Sequence, residues 1–242
     1  MSEICIDGNT KVKIHAIASI PRLGFQDAFA AMTGMFSSLG IPWISYTGAF
    51  WNKCTQNALN DLINDVDWIL ATDYDTVATA FQLQILMKTF AQNPHMDALA
   101  AMQPRRGNGA PLMTVKDEKT GRFLMQVVGE APIKCYTAHF GLTLIRTKAL
   151  RDLQKPWFLH VPDDKGEFGP ASVDPDIYFW KKWAEAGKTL YTDPNCRIGH
   201  LEVMVSIFDD FMVQRHISAT RWRELYCPSQ YDNSLEKQDT KG

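Results

Sequence analysis

From Lys13 to Met102 the chain alternates apolar runs of strand length with longer segments of helical period, and no other feature restricts its fold as much. Lys13 to Ile20 alternates, then runs apolar, and stops at Pro21-Arg22-Leu23-Gly24, so it reads as a first buried strand. Phe25 to Leu39 sets Phe25, Phe29, Met32, Phe36 and Leu39 at helical spacing, with Gly40 as the stop. Trp43 to Tyr46 predicts a short second strand and Asn52 to Ile63 a helix. Asp67 to Thr72 predicts a third strand, Val77 to Ala91 a helix ended by Asn93-Pro94, and Ala98 to Met102 a fourth strand. This order specifies an α/β domain with a largely parallel sheet. Ligands of such sheets gather beyond the carboxyl ends of the strands. Pro21-Arg22, Asp73-Tyr74-Asp75 and Arg105-Arg106 all fall there.

The second half is less regular. Leu112 to Val128 reads as a hairpin around the polar turn Lys116 to Gly121, and Phe140 to Arg146 as a strand followed by a short helix. His160 to Ser172 is rich in Gly, Pro and Asp without periodicity, a loop long enough to act as a lid. Its alternative is a static loop braced by Pro162 and Pro170. Asp176 to Ala186 predicts a helix closed by Gly187, and Ser206 to Tyr226 an amphipathic helix docked on the domain. At 242 residues one domain is expected, spanning 1–230, with 231–242 a polar, flexible tail.

Asp73-Tyr74-Asp75 stands where the apolar run Asp67 to Thr72 meets solvent. Two carboxylates one residue apart are costly to bury and well placed to hold Mg²⁺ or Mn²⁺, whose remaining shell comes from water and substrate phosphates. A net charge of -2 removes any general electrostatic case for nucleic acid. No segment is apolar over a bilayer's length, and Met1 to Gly8 lacks the pattern of a signal peptide. Cys5, Cys54, Cys135, Cys196 and Cys227 are scattered without metal-ligand spacing, as expected of reduced thiols in a cytoplasmic protein.

A second ordered set lies downstream: Asp174-Pro175-Asp176, Ala186-Gly187, Tyr191-Thr192-Asp193 and Ile198-Gly199-His200. Between the two halves stand a Gly-containing strand, Phe140-Gly141-Leu142, and the aromatic pair Trp157-Phe158. Together with Asp73-Tyr74-Asp75, this series resembles the glycosyltransferases of the GT-A fold from about Lys13 to His200. The resemblance implies a Rossmann-like, mostly parallel central sheet flanked by helices. It also implies transfer of a sugar from a nucleotide-diphosphate sugar to an acceptor hydroxyl, with inversion. By the same resemblance Asp75 contacts the metal, Asp73 approaches the ribose or the metal's water shell, and His200 is the third metal-side ligand, tilting preference toward Mn²⁺. Asp176, or Asp174 one step earlier across Pro175, matches the carboxylate that takes the acceptor proton. Pro21 and Arg22 meet the nucleotide, and Arg105 and Arg106 are candidate diphosphate or sugar contacts. The chain departs from the pattern at Gln56-Asn57, where relatives place Arg-Asn, which leaves Asn57 alone as the candidate diphosphate contact there. Ser45-Tyr46-Thr47 lacks the acidic residue that often reads the base.

Two other classes fit parts of the chain. Asp73-Tyr74-Asp75-Thr76-Val77 also matches the nucleophile motif of haloacid-dehalogenase-like phosphatases, which need a later acidic motif such as Asp163-Asp164 or Asp209-Asp210. A non-catalytic module binding a sugar nucleotide or glycan on the same fold is the third reading. Of the histidines, His15 and His139 are read as core groups with hydrogen-bond partners. Trp157, Trp180 and Trp183 are read as core or cleft packing.

Overall fold

A computed structural model describes residues 3–6, 8, 10–20, 24–106, 110–116, 123–124, 129–169 and 171–226. Pro21, Arg22, the turn after Lys116, Pro170 and the 231–242 tail lie outside the described residues. The first half runs β1 (Glu3–Cys5), β2 (Lys11–Ile20), α1 (Gln26–Leu39), β3 (Trp43–Thr47), α2 (Trp51–Leu62), β4 (Trp68–Asp73), β5 (Thr76–Val77), α3 (Ala80–Gln92) and β6 (Ala98–Met102). There follow β7 (Met113–Lys116), β8 (Phe123–Leu124), β9 (Ile133–Cys135), β10 (Thr137–Ala138), β11 (Leu142–Arg146), α4 (Thr147–Arg151), α5 (Pro175–Glu185), β12 (Leu190–Arg197) and β13 (Gly199–His200).

The elements expected between Lys13 and Met102 are present, with one shifted start. Helix α3 begins at Ala80 rather than Val77, because Thr79 caps it. The Thr79 hydroxyl accepts from the Gln82 N–H, and the Gln82 side chain accepts from the Thr79 N–H. That reciprocal pair satisfies two backbone donors at the helix start and frees Thr76-Val77 to form β5. Helix α1 stops where expected, with Gly40 in the left-handed conformation at φ 64°.

The central sheet has the order β1-β2-β4-β11-β6-β12-β9, with β3 pairing β2 from Ala16 to Ile20 on the edge opposite β4. Strands β3, β2 and β4 pair in parallel, as do β6 and β12. Strand β11 enters antiparallel between β4 and β6, with Leu144 opposite both Leu70 and Leu99. Burial on both faces explains why these strands read as continuous apolar runs. On one face Phe36, Leu83 and Phe90 of α1 and α3 are fully buried. On the other lies an aromatic core of Phe140, Phe158, Phe179, Trp180 and Trp183. Phe140 stacks on Trp180 at 5.0 Å, and Phe158 on Phe179 at 4.9 Å. Trp157, Trp180 and Trp183 are each about 1% exposed or less, so all three are core groups.

The internal contacts divide the chain into two units, Met1–His200 and Leu201–Gly242. In the second unit the structure overturns the expected helix from Ser206 to Tyr226. Strands β14 (Met204–Phe208) and β15 (Gln214–Ser218) form an antiparallel hairpin, and only Ala219–Tyr226 is helical, as α6. Val205 and Ile207 are half-buried between exposed neighbours, a period of two rather than 3.6. The Asp209 carboxylate accepts from the N–H groups of Phe211 and Val213 and from Arg215, and Met212 takes φ 59°. This side-chain turn breaks the helical reading.

Candidate active site

The Asp-Tyr-Asp segment leaves the sheet at the carboxyl end of β4, in the first unit. Its two carboxylates point to different partners. Asp73 accepts from the Trp51 indole N–H at 2.7 Å and from the Ser19 hydroxyl at 3.4 Å. Trp51 opens α2 and packs edge-on against Phe140 and Phe158, each at 5.3 Å, so the aromatic core braces this carboxylate. Burial lifts the Asp73 carboxyl from 3.8 to about 6 against the pull of the Trp51 bond, and the nearby Asp176 charge adds to the rise.

Asp75 is buried, at 5% exposure, and faces His200 across 125 residues of sequence. His200 Nδ1 lies 3.0 Å from the Pro104 carbonyl, which can only accept, so that nitrogen carries the proton. In the neutral ring Nε2 then presents a lone pair 3.3 Å from Asp75 Oδ2. A carboxylate oxygen and an imidazole lone pair held face to face need a cation or a proton between them. An imidazole whose far N–H donates to a carbonyl is also the arrangement that orients metal-ligating histidines. The Arg106 guanidinium reaches the same Asp75 oxygen and supplies a counter-charge. Among the described residues no three His, Cys, Asp or Glu side chains converge on one point. Asp75 and His200 are a two-donor set, which suits an ion that completes its shell with water and phosphate oxygens.

Strands β5 and β13 set this pair, with His200 opposite Thr76 and Gly199 opposite Val77. Gln103 is buried beneath them and donates to the Thr76 hydroxyl at 3.1 Å and to the Gly199 carbonyl at 3.2 Å. His139 closes the floor: Nε2 donates to the Ala101 carbonyl at 2.8 Å, and Nδ1 accepts from the Gly141 N–H at 2.9 Å. Those contacts require a neutral ring, and burial holds its pKa down near 4. A Cβ at Gly141 would meet Thr76 Oγ1 at 2.6 Å, Gln103 Oε1 at 2.7 Å and His139 Nδ1 at 2.9 Å. Gly141→Ala is therefore expected to destabilise the fold by about 1–3 kcal/mol, the usual range for overpacking a core. Urea denaturation would register the loss, and an unchanged midpoint would mean that these groups yield freely.

Asp176 sits in the first turn of α5, after Pro175 at the helix start. It lines a cavity of about 100 Å³ with Arg105, Thr114, Thr137 and His139. Burial raises its carboxyl from 3.8 to about 6, and the Asp174 charge adds to the rise. Asp174 is exposed at the N-cap, outside that cavity, and faces His160 at 3.6 Å. Two further cavities flank Asp73: about 210 Å³ beside Ser19, Gly48, Trp51 and Tyr74, and about 250 Å³ beside Phe25, Phe29 and Tyr74. Asn57 is exposed on α2 and lines none of these three spaces.

The structure thus gathers Asp73, Asp75, Asp176, His200, Arg105 and Arg106 at one end of the sheet, whereas Asn57 and Asp174 are exposed. Trp51, Gln103 and Thr76 were missed in the sequence. A Trp at a helix start just after a strand end was the one local signal, for Trp51. His139 has the expected partners, whereas His15 corrects its reading: both ring nitrogens are buried and find no hydrogen-bond partner among the described residues. The 160–172 loop is closed by the Val161–Val173 bridge and by Asp163, which accepts from the N–H groups of Lys165 and Glu167. Asp163 is thereby engaged in its own loop, and Asp209 in the hairpin turn.

No family model and no curated protein matches this chain. Among solved structures, protein A197 from STIV is similar with a TM-score of 0.56 and 15% identity, over 83% of this chain and 92% of that one. GalNAc-T7, solved with UDP, GalNAc and Mn²⁺, is similar with a TM-score of 0.52 and 9% identity, over 80% of this chain and 44% of that one. This chain therefore spans less than half of GalNAc-T7. At such identity the likeness is one of fold, and the fold is the GT-A-like α/β arrangement that the sequence resemblance implied.

Proposed function

We propose that the chain is a metal-dependent glycosyltransferase that moves a sugar from a nucleotide-diphosphate sugar to an acceptor hydroxyl with inversion. The observation that carries this reading is the approach of His200 Nε2 to Asp75 Oδ2 at 3.3 Å at the carboxyl end of β4. The fold supports it, since GalNAc-T7 was solved with UDP, GalNAc and Mn²⁺ on a similar framework.

Asp75 and His200 would hold Mn²⁺ or Mg²⁺, which when bound supplies charge neutralisation for the departing diphosphate. Asp73, fixed by Trp51, would accept from the ribose hydroxyls, with the nucleoside in the space beside Trp51 and Tyr74. Arg105 and Arg106 would take diphosphate oxygens, with Arg106 turning from Asp75 to the substrate. Pro21 and Arg22, outside the described residues, would meet the nucleotide in this reading. Asp176 would remove the acceptor proton as that oxygen attacks the anomeric carbon, and its carboxyl near 6 suits a base working close to neutrality.

The test is a thermal-shift series with nucleoside diphosphates, each with and without Mn²⁺. Ligands that bind only the folded state raise the melting temperature by mass action. One diphosphate with Mn²⁺ is expected to raise it more than either alone. A series in which Mn²⁺ makes no difference to any diphosphate would overturn the metal-dependent reading. Saturable donor binding without transfer or hydrolysis would instead mark a binding module.

A further inference from the structure

The largest of the cavities described here, about 620 Å³, takes no part in this site. It lies at the start of β12, at the opposite end of that strand from the β13 segment that carries His200. It is bounded by Lys116, Lys134, Tyr136, Gly187, Lys188 and Leu190, among others. Helix α5 separates it from the candidate base. Asp176 lies in the first turn, whereas the cavity takes residues at and beyond the last. Eleven helical residues place the two ends roughly 16 Å apart. No residue is shared with the three spaces around the carboxylates.

Its chemistry is one-sided. Three lysines from three separate segments line it, and among the described residues lining it none is acidic. In a chain with 25 basic and 27 acidic side chains, that segregation is a local feature and not a reflection of composition. Lys116 Nζ lies 5.7 Å from the Tyr136 ring centre, which joins an aromatic face to the cationic wall. Lys188 is held by Asp152 at 2.8 Å from outside the lining, so its position is fixed. Lys134 lies on β9, the last strand in the sheet order, where a lysine also guards against strand pairing. Strand protection and the Asp152 pair account for Lys134 and Lys188, and leave Lys116 and the concavity without a structural reason. The volume falls in the range of small-molecule sites.

We propose that this cavity binds a small phosphorylated molecule of about nucleotide or sugar-phosphate size. Lys116, Lys134 and Lys188 contact its phosphate oxygens, and the Tyr136 ring lies against its apolar part. Recognition needs no metal, which sets it apart from the site at Asp75. The proposal does not depend on the transferase reading.

Calorimetry with inorganic tripolyphosphate, at low ionic strength and with EDTA present, tests it on the full chain. Wild type is expected to bind tripolyphosphate saturably. Lys116→Ala/Lys134→Ala is expected to bind at least tenfold more weakly. Both lysines are exposed, so the double variant should melt as wild type does. Should it not, Lys134→Glu alone is expected to give the same loss. Absence of saturable binding to wild type, or equal affinity in the lysine variants, would each overturn the proposal.

Discussion

Asp176→Asn is expected to lower transfer by about 10²- to 10⁴-fold, the usual contribution of a positioned general base, and to leave nucleotide-diphosphate affinity within about twofold. An amide fills the same space beside Arg105 and His139 but cannot take the acceptor proton. In the wild type the rate should rise with pH through about 6 and then level, because the carboxylate must be ionised to act. The same group makes a stability prediction of definite sign. Its folded pKa is raised from 3.8 to about 6, so the native state holds this proton more tightly than the unfolded chain does. The resulting stabilisation is present below about pH 4 and is lost as pH rises through about 6. Asp176→Asn should therefore melt higher than wild type at pH 7.5, with the gain shrinking toward pH 4. Activity and melting curves across that range decide the assignment. If Asp174→Asn is the inactive variant and Asp176→Asn transfers normally, the two roles must be exchanged.

The second large effect is expected at Asp75. Asp75→Asn should weaken Mn²⁺-supported diphosphate binding by more than about tenfold, since losing even an outer-shell partner of a metal ligand commonly costs 10- to 100-fold. His200→Ala should weaken it in the same sense. Without metal, wild type and Asp75→Asn should bind the diphosphate about equally. Titration calorimetry of both variants with and without Mn²⁺ separates these outcomes. Equal, metal-independent affinity in wild type and Asp75→Asn would remove the metal from this site and leave Asp75 paired with Arg106 and His200.

The strand and helix alternation from Lys13 to Met102, the acidic pair at a strand end and the helix after Asp174 were all legible in the amino-acid order. Each is a local fact. A strand buried on both faces reads as a continuous apolar run, as Trp68 to Ala71 does, and a buried helix face repeats every 3.6 residues, as Met32, Phe36 and Leu39 do. Periodicity reports burial without naming the neighbour. For that reason the antiparallel entry of β11 between β4 and β6 could not be read from Leu142 to Arg146. The hairpin at 204–218 was misread because the Asp209 turn uses side-chain hydrogen bonds that leave little trace in a hydrophobic pattern. Within the site, the residue types and their order pointed to cation and nucleotide chemistry, but their partners were hidden. Trp51 meets Asp73 across 22 residues, and His200 meets Asp75 across 125. Hydrogen bonds and charge pairs act over a few ångströms and are indifferent to sequence separation, so only the closed sheet decided which carboxylate is braced by the aromatic core and which faces the imidazole.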